Sequence, residues 1–174
     1  MAYEIDPAHS QATFSVRHMM IATVKGQFKV ISGTLHIDEQ NPQNSAVDAQ
    51  ADAASIDTRD ANRDAHLRSA DFFEAEKYPT INFKSTKVEH VSGDEYKVTG
   101  DLTMHGITKP VVFDAEYQGK GKDPWGNERA ALAAKSKINR KDWGLNWNQG
   151  LEAGGVLVSE EVKIEIDLST VNKG

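Results

Sequence analysis

Strict alternation of apolar and polar side chains constrains this 174-residue chain more than any other feature of its sequence. Val162, Ile164, Ile166 and Leu168 alternate with Glu161, Lys163, Glu165 and Asp167, the period-2 pattern of a strand with one buried face. Seven earlier segments read the same way. Strand one sets Phe14, Val16 and His18 against Thr13, Ser15 and Arg17. In strand two, "QFKVISGTLHID", Phe28 and Val30 share one parity while Leu35 and Ile37 share the other, so a bulge is expected near Ser32-Gly33. Strand three places Val47, Ala49, Ala51 and Ala53 on one face; strand four offers Ile81, Phe83 and Ser85; strand five Tyr96, Val98, Leu102 and Met104. Strand six carries Val111, Phe113, Ala115 and Tyr117, and strand seven Ala130, Leu132, Ala134, Ser136 and Ile138.

Eight strands in meander order predict a mainly β, antiparallel up-and-down barrel, because closure removes the exposed edges that a long open meander leaves. The whole chain, 1–174, reads as a single domain. An eight-stranded barrel is wide enough either to be filled by its own side chains or to hold one small ligand. Ala49, Ala51 and Ala53, with Ala130 and Ala134, leave space inside. Small residues opposite large ones also occur in packed cores, so parity alone leaves both interiors open.

One segment breaks the alternation. Just before "NRDAHLRSADFFEAEKYP", Thr58 or Asp60 can cap a helix; within it Asp64 precedes Arg68 by four residues, and Leu67, Ala70 and Phe73 fall on one face. Pro79 disfavours helix at Tyr78. The segment is expected to be a short helical lid between strands three and four, its helix over 60–73, with Leu67, Phe72 and Phe73 turned toward the barrel mouth.

Charge and residue types exclude several functions. With 26 acidic and 20 basic side chains, a formal net charge of −6 and no basic stripe, nucleic acid is not an expected partner. There is no cysteine, hence no disulfide or thiolate chemistry. No apolar run is long enough for a transmembrane segment, although transient membrane contact is compatible with the sequence. The chain enters its strand pattern without a signal-like segment, so as written it is expected in the cytoplasm; a periplasmic or secreted protein whose signal had been removed would read the same. Asp57, Asp60 and Asp64 cluster beside His66, but on a polar helical edge, and no nucleophile elbow, P-loop or dinucleotide fingerprint occurs. The six histidines lack metal-ligand spacing. No catalytic residue, metal or cofactor is expected.

Four stretches, "IDPAHSQATFSVRHMMIATVKGQF", "SIDTRDANRDAHLRSADFFEAEKYPTINFKST", "VTGDLTMHGITKPV" and "INRKDWGL", resemble in order and spacing the blocks of the YceI-like family. The resemblance covers nearly the entire chain. It implies an extended lipocalin-like barrel that binds or carries a long apolar lipid, a polyisoprenoid or isoprenoid quinone, without catalysis, and a homodimer. Laid over the strand parities, it implies a ligand-binding wall of Phe14, Val16, His18, Phe28, Val30, Ala49 and Ala51. Ile81, Phe83, Leu102, Met104 and Phe113 would continue that wall, with Leu67, Phe72 and Phe73 from the lid and Trp143 and Leu145 from the "INRKDWGL" loop. His18, Arg68 and Arg140 are candidates for the lipid head group. Each has a structural alternative: a satisfied core histidine, a pair with Asp64 or Asp71, and a loop brace through Asp142. A barrel with a filled core serving as an interaction module, or an enzyme acting on an isoprenoid or other lipid, are the competing readings.

Overall fold

The computed structural model describes residues 2–148 and 157–173. In chain order its strands are β1 (Ala2–Ile5), β2 (Gln11–His18), β3 (Ala22–Phe28), β4 (Ile31–His36), β5 (Ala46–Asp52), β6 (Ile56–Asp57), β7 (Thr80–Ser92), β8 (Glu95–Met104), β9 (Ile107–Lys122), β10 (Glu128–Asn139) and β11 (Glu161–Asn172); the helix α1 spans Ala61–Arg68. All pairings are antiparallel, and the sheet closes: β11 pairs with β1 at Ile5 and Thr170 and with β2 at Phe14 and Ile164. The ring β1-β4-β5-β7-β8-β9-β10-β11 is an eight-stranded barrel. β2 and β3 extend one side of it, because β1–β2 and β3–β4 are each a long strand interrupted once. A 3-10 turn at Pro7–His9 makes the first interruption, capped by the Asp6 carboxylate.

The second interruption corrects the sequence reading. Pairing of β4 with β5 runs unbroken from Ile31 to His36, so no bulge occurs at Ser32-Gly33. The parity change falls at Lys29-Val30 instead. There the Val30 N–H donates to the Ser55 hydroxyl and the Val30 carbonyl accepts from the Asp52 N–H. This turns Val30 outward, 49% exposed, and brings both Phe28 and Ile31 inside. Gly33 is required for a different reason: its φ of +143° suits glycine, and a Cβ would collide with the Asp48 carbonyl of β5.

The helix also differs in place and length. It follows β6, a two-residue strand paired with β3 that alternation is too short to reveal. It ends at Arg68, where the Ser69 hydroxyl donates to the His66 carbonyl. Residues 69–78 continue as turns, held by bonds such as Phe73 N–H to the Leu67 carbonyl and Tyr78 N–H to the Glu74 carbonyl.

Two apolar clusters occupy the barrel. Tyr3, Ile5, Ile31, Leu35, Ala130 and Leu168 seal one end, the base. Leu102, Met104, Val111, Phe113, Trp143 and Leu145 line one wall toward the other end, the mouth, where α1 and the β2–β3 hairpin stand. Outside the base, Arg129 bonds Asp6 and Asp123 at 2.8 Å each, and the Tyr3 and Tyr117 hydroxyls donate to Glu128 and Glu39.

Candidate functional site

Between the clusters lies a cavity of about 480 Å³, within the range of small-molecule sites. Strand parity builds it. Ala49 and Ala51 of β5 face Phe83 and Ile81 of β7 across their pairing, and each alanine withholds the volume a larger side chain would take. Aromatic rings edge the space: Phe14 and Phe28 lie 5.7 Å apart, Phe28 and Phe73 5.8 Å, and Phe83 and Phe113 5.0 Å. Gly26 makes room for one of them, since a Cβ there would collide with the Phe14 ring lying over its backbone. The β10 and β11 side chains Ile138, Val162, Ile164, Ile166 and Leu168 complete the wall.

Among the residues singled out from sequence, the structure brings Phe14, Val16, His18, Phe28, Ala49, Ala51, Ile81 and Phe83 to the cavity, together with Leu102, Met104, Phe113, Leu145 and Arg140. Leu67, Phe72 and Phe73 line it from the mouth. Three others stand elsewhere. Val30 faces outward for the reason given above. Trp143 is 2% exposed and belongs to the packed wall: its indole N–H donates to the Leu102 carbonyl at 2.9 Å, which draws the ring between strands rather than into the opening. Arg68, on the last turn of α1, is half-buried outside the cavity lining.

Arg140 is the charged group the fold encloses most fully at this site, 4% exposed. Asn139 caps a 3-10 turn over Arg140–Trp143, and the turn aims the guanidinium inward. Its N–H groups donate to the carbonyls of Ser159 (2.9 Å), Leu145 (2.6 Å), Trp147 (2.9 Å) and Val158 (3.3 Å). The expected brace is therefore real, but it runs through main-chain carbonyls and not through Asp142. Burial lowers its pKa, opposed by the Glu160 carboxylate. Its cation lies 5.9 Å from the Phe72 ring centre.

The rim is polar and internally committed. The Asp64 carboxylate accepts from the Thr58 N–H at 2.8 Å and hydroxyl at 2.6 Å, and Arg63 donates to the Thr58 hydroxyl and carbonyl. Asp64 thus anchors the start of the helix. His66 Nε2 lies 2.8 Å from Asp71, with its ring edge-on to Phe72 and Trp147. Sequence reading did not place Trp147, Leu157 and Val158 on the cavity wall, because no periodicity marks the segment they occupy. The β11 side chains were legible from their parity. Among the described residues no group of three or more His, Asp or Glu is placed to hold a metal ion.

Residues 3–170 match the family model of the YceI-like domain. Protein YceI of Escherichia coli O157:H7 is 40% identical over 173 residues, covering 98% of this chain and 87% of that protein. The crystal structure of Burkholderia cenocepacia BcnA superposes with a TM-score of 0.84 at 23% identity, over 95% of this chain and 98% of that one. A polyisoprenoid binding domain from Saccharophagus degradans superposes with a TM-score of 0.72 at 17% identity, over 97% of both chains.

Proposed function

This chain belongs to the YceI-like family, and on that premise we propose that it binds one long apolar lipid, a polyisoprenoid or isoprenoid quinone, inside its barrel and carries it without chemical change. The observation that carries this reading is the 480 Å³ cavity, sealed at the base and walled by aliphatic and aromatic side chains. Each methylene moved from water into such a space contributes about 0.8 kcal/mol, much of which is offset by ordering the tail and by the costs of association. Tail length is then read loosely, and discrimination rests on the polar end. The similarity in fold to a polyisoprenoid binding domain supports the same ligand class.

In this reading the tail enters past Leu67 and Phe73, which act as the lid on the fixed anchor Phe72, and lies against Phe14, Phe28 and Phe83. The head group stays at the rim near Arg140, His66 and Asn62. Among the described residues Arg140 is hydrogen-bonded only to carbonyl oxygens there and meets the Glu160 carboxylate only through space, so an oxygen-rich head group gains from its field. The rim acids and histidine are occupied with holding the helix and turn, which supports binding over catalysis.

Native mass spectrometry of protein purified without detergent tests the proposal. The expected result is an apolar adduct with the mass of an isoprenoid lipid. A bare chain that also fails to take up added polyprenol would overturn it.

A further inference from the structure

The tip of the β2–β3 hairpin has the backbone of one turn class and the side chains of another. The Ile21 N–H donates to the His18 carbonyl, and Met19 and Met20 between them have φ of 54° and 65°. Two consecutive left-handed residues make a type I′ turn, whose natural occupants are Asn and Gly. Here two methionines take that conformation and hold their side chains in solvent. Met19, Met20 and Ile21 are 49%, 50% and 80% exposed, three of the seven exposed large hydrophobics among the described residues.

Position and charge single out the tip further. His18, at its foot, lines the cavity, and the Met19 N–H donates to the carbonyl of Leu157, another lining residue, at 2.7 Å. The hairpin is therefore a wall of the mouth. No Asp or Glu occurs between Asp6 and Asp38, although the chain carries 26. Arg17 and Lys25 are exposed on the hairpin, at positions alternating with the cavity-facing Val16 and Val24, and Arg17 also donates to the Met20 carbonyl.

We propose that this tip docks on a bilayer containing anionic lipid, placing the mouth of the cavity against the membrane. The inference rests on the reading of the cavity as a lipid site. Flexible thioether and aliphatic side chains at a protruding point, with cations one to two turns of the pleat behind them, match the layering of a bilayer surface: acyl chains below, anionic head groups above. The remainder of the molecule, the rim acids beside α1 included, is net acidic and repelled by the same surface, so the hairpin leads the approach. An apolar lipid then passes between barrel and bilayer without crossing water.

Vesicle flotation of the full chain tests this, using phosphatidylethanolamine with phosphatidylglycerol, and phosphatidylcholine alone. Met19→Asn with Met20→Gly suits the turn better and should not lower the melting temperature, yet it should weaken vesicle binding about tenfold or more. Arg17→Gln with Lys25→Gln should weaken binding to the phosphatidylglycerol vesicles roughly thirtyfold and leave phosphatidylcholine unaffected. Trp125→Ser, at an exposed turn of the base, should change neither. Wild-type protein that stays with the aqueous fraction overturns the proposal. So does a methionine variant that floats like wild type, including one in which only the oligomeric state changes, which would make the tip a contact between copies. Native mass spectra of the same samples separate the two readings: loss of flotation with the apolar adduct retained supports docking, whereas flotation as expected with no adduct in any sample sinks the cargo reading and leaves docking intact.

Discussion

The base and the mouth of the barrel both enclose an arginine's charge, and they do so in opposite ways. At the base, Arg129 lies between two carboxylates, Asp6 and Asp123, each 2.8 Å away, over a packed apolar seal. At the mouth, Arg140 is nearly inaccessible and bonded to four carbonyls. Charge is met by bonded carboxylates where the barrel is shut, and by carbonyls with the non-bonded carboxylate of Glu160 where it opens. A partly exposed ion cluster contributes little to stability; a buried cation held by main-chain dipoles ties Leu145 and Trp147 to Val158 and Ser159 and keeps a field for something else to use.

The widest gap between the two ends is expected on removing each arginine. Arg140→Met takes four donors from the buried or half-buried carbonyls of Leu145, Trp147, Val158 and Ser159. Charge-assisted bonds of this kind are worth roughly 1.5–3 kcal/mol each, with water recovering part, so a loss of about 4 kcal/mol is expected by urea denaturation, with loss of the lipid adduct. A loss below about 1 kcal/mol would place Arg140 in the same class as Arg129.

Within the mouth, Phe72 and Phe73 sharpen the comparison between permanent structure and lid. Phe72 is 6% exposed, against His66, Trp147 and Arg140, whereas Phe73 is half-buried and meets Phe28 across the cavity. Phe72→Ala is expected to cost about 3 kcal/mol with or without cargo. Phe73→Ala is expected to cost about 1 kcal/mol in lipid-free protein and to remove a larger share of the stabilisation that cargo confers by mass action. Thermal unfolding of lipid-free and loaded samples reads both. Identical behaviour of the two variants would mean that the segment does not divide into anchor and lid.

Halfway between base and mouth, Ala51 tests the space itself. It lies in register with Ile31 and Ile81 and lines the cavity. Ala51→Phe is expected to abolish the apolar adduct while shifting stability by less than about 1 kcal/mol, because overpacking costs more than that only where no room exists. Unfolding of this variant would point to a tight interior.

How far these regions were legible from sequence follows the same division. The wall was readable because a closed sheet forces alternate side chains inward, and the parities of Phe14, Ala49, Phe83 and Ile164 needed no tertiary information. Val30 was misread because the parity change depends on Ser55 and Asp52, 25 and 22 residues away, capturing its backbone. Trp143 was misread because an aromatic in a loop shows no face, and only the bond to Leu102 decides its side. Arg140 could be named from its motif, yet its partners lie in main-chain carbonyls, which no side-chain pattern announces. The helix was found and its extent overestimated, because Ser69 and the turn bonds after it end the helix before Phe72.

The smallest effect concerns the base, where acid separates the two arginines. Hydrogen bonds from Arg129 first, then from His9, lower the Asp6 pKa from 3.8 to about 2, and Arg129 lowers that of Asp123 equally. Both carboxylates titrate lower in the folded chain than in the unfolded one. Their contribution is therefore complete above the ordinary value and is lost as pH falls through about 2. Arg129→Gln removes the cause, so wild type should melt a few degrees higher than this variant near neutral pH, and the gap should close as the acids protonate. For Arg140→Met a nearly constant gap is expected over the same range, because the bonded carbonyl oxygens do not titrate and the Glu160 carboxylate, lowered mainly by Lys141, acts on Arg140 only through space. Melting temperatures of the two variants against wild type, followed from neutrality into acid, give one converging and one parallel pair of curves. A constant gap for Arg129→Gln would show that the base latch acts through packing of the arginine stem and not through its carboxylates.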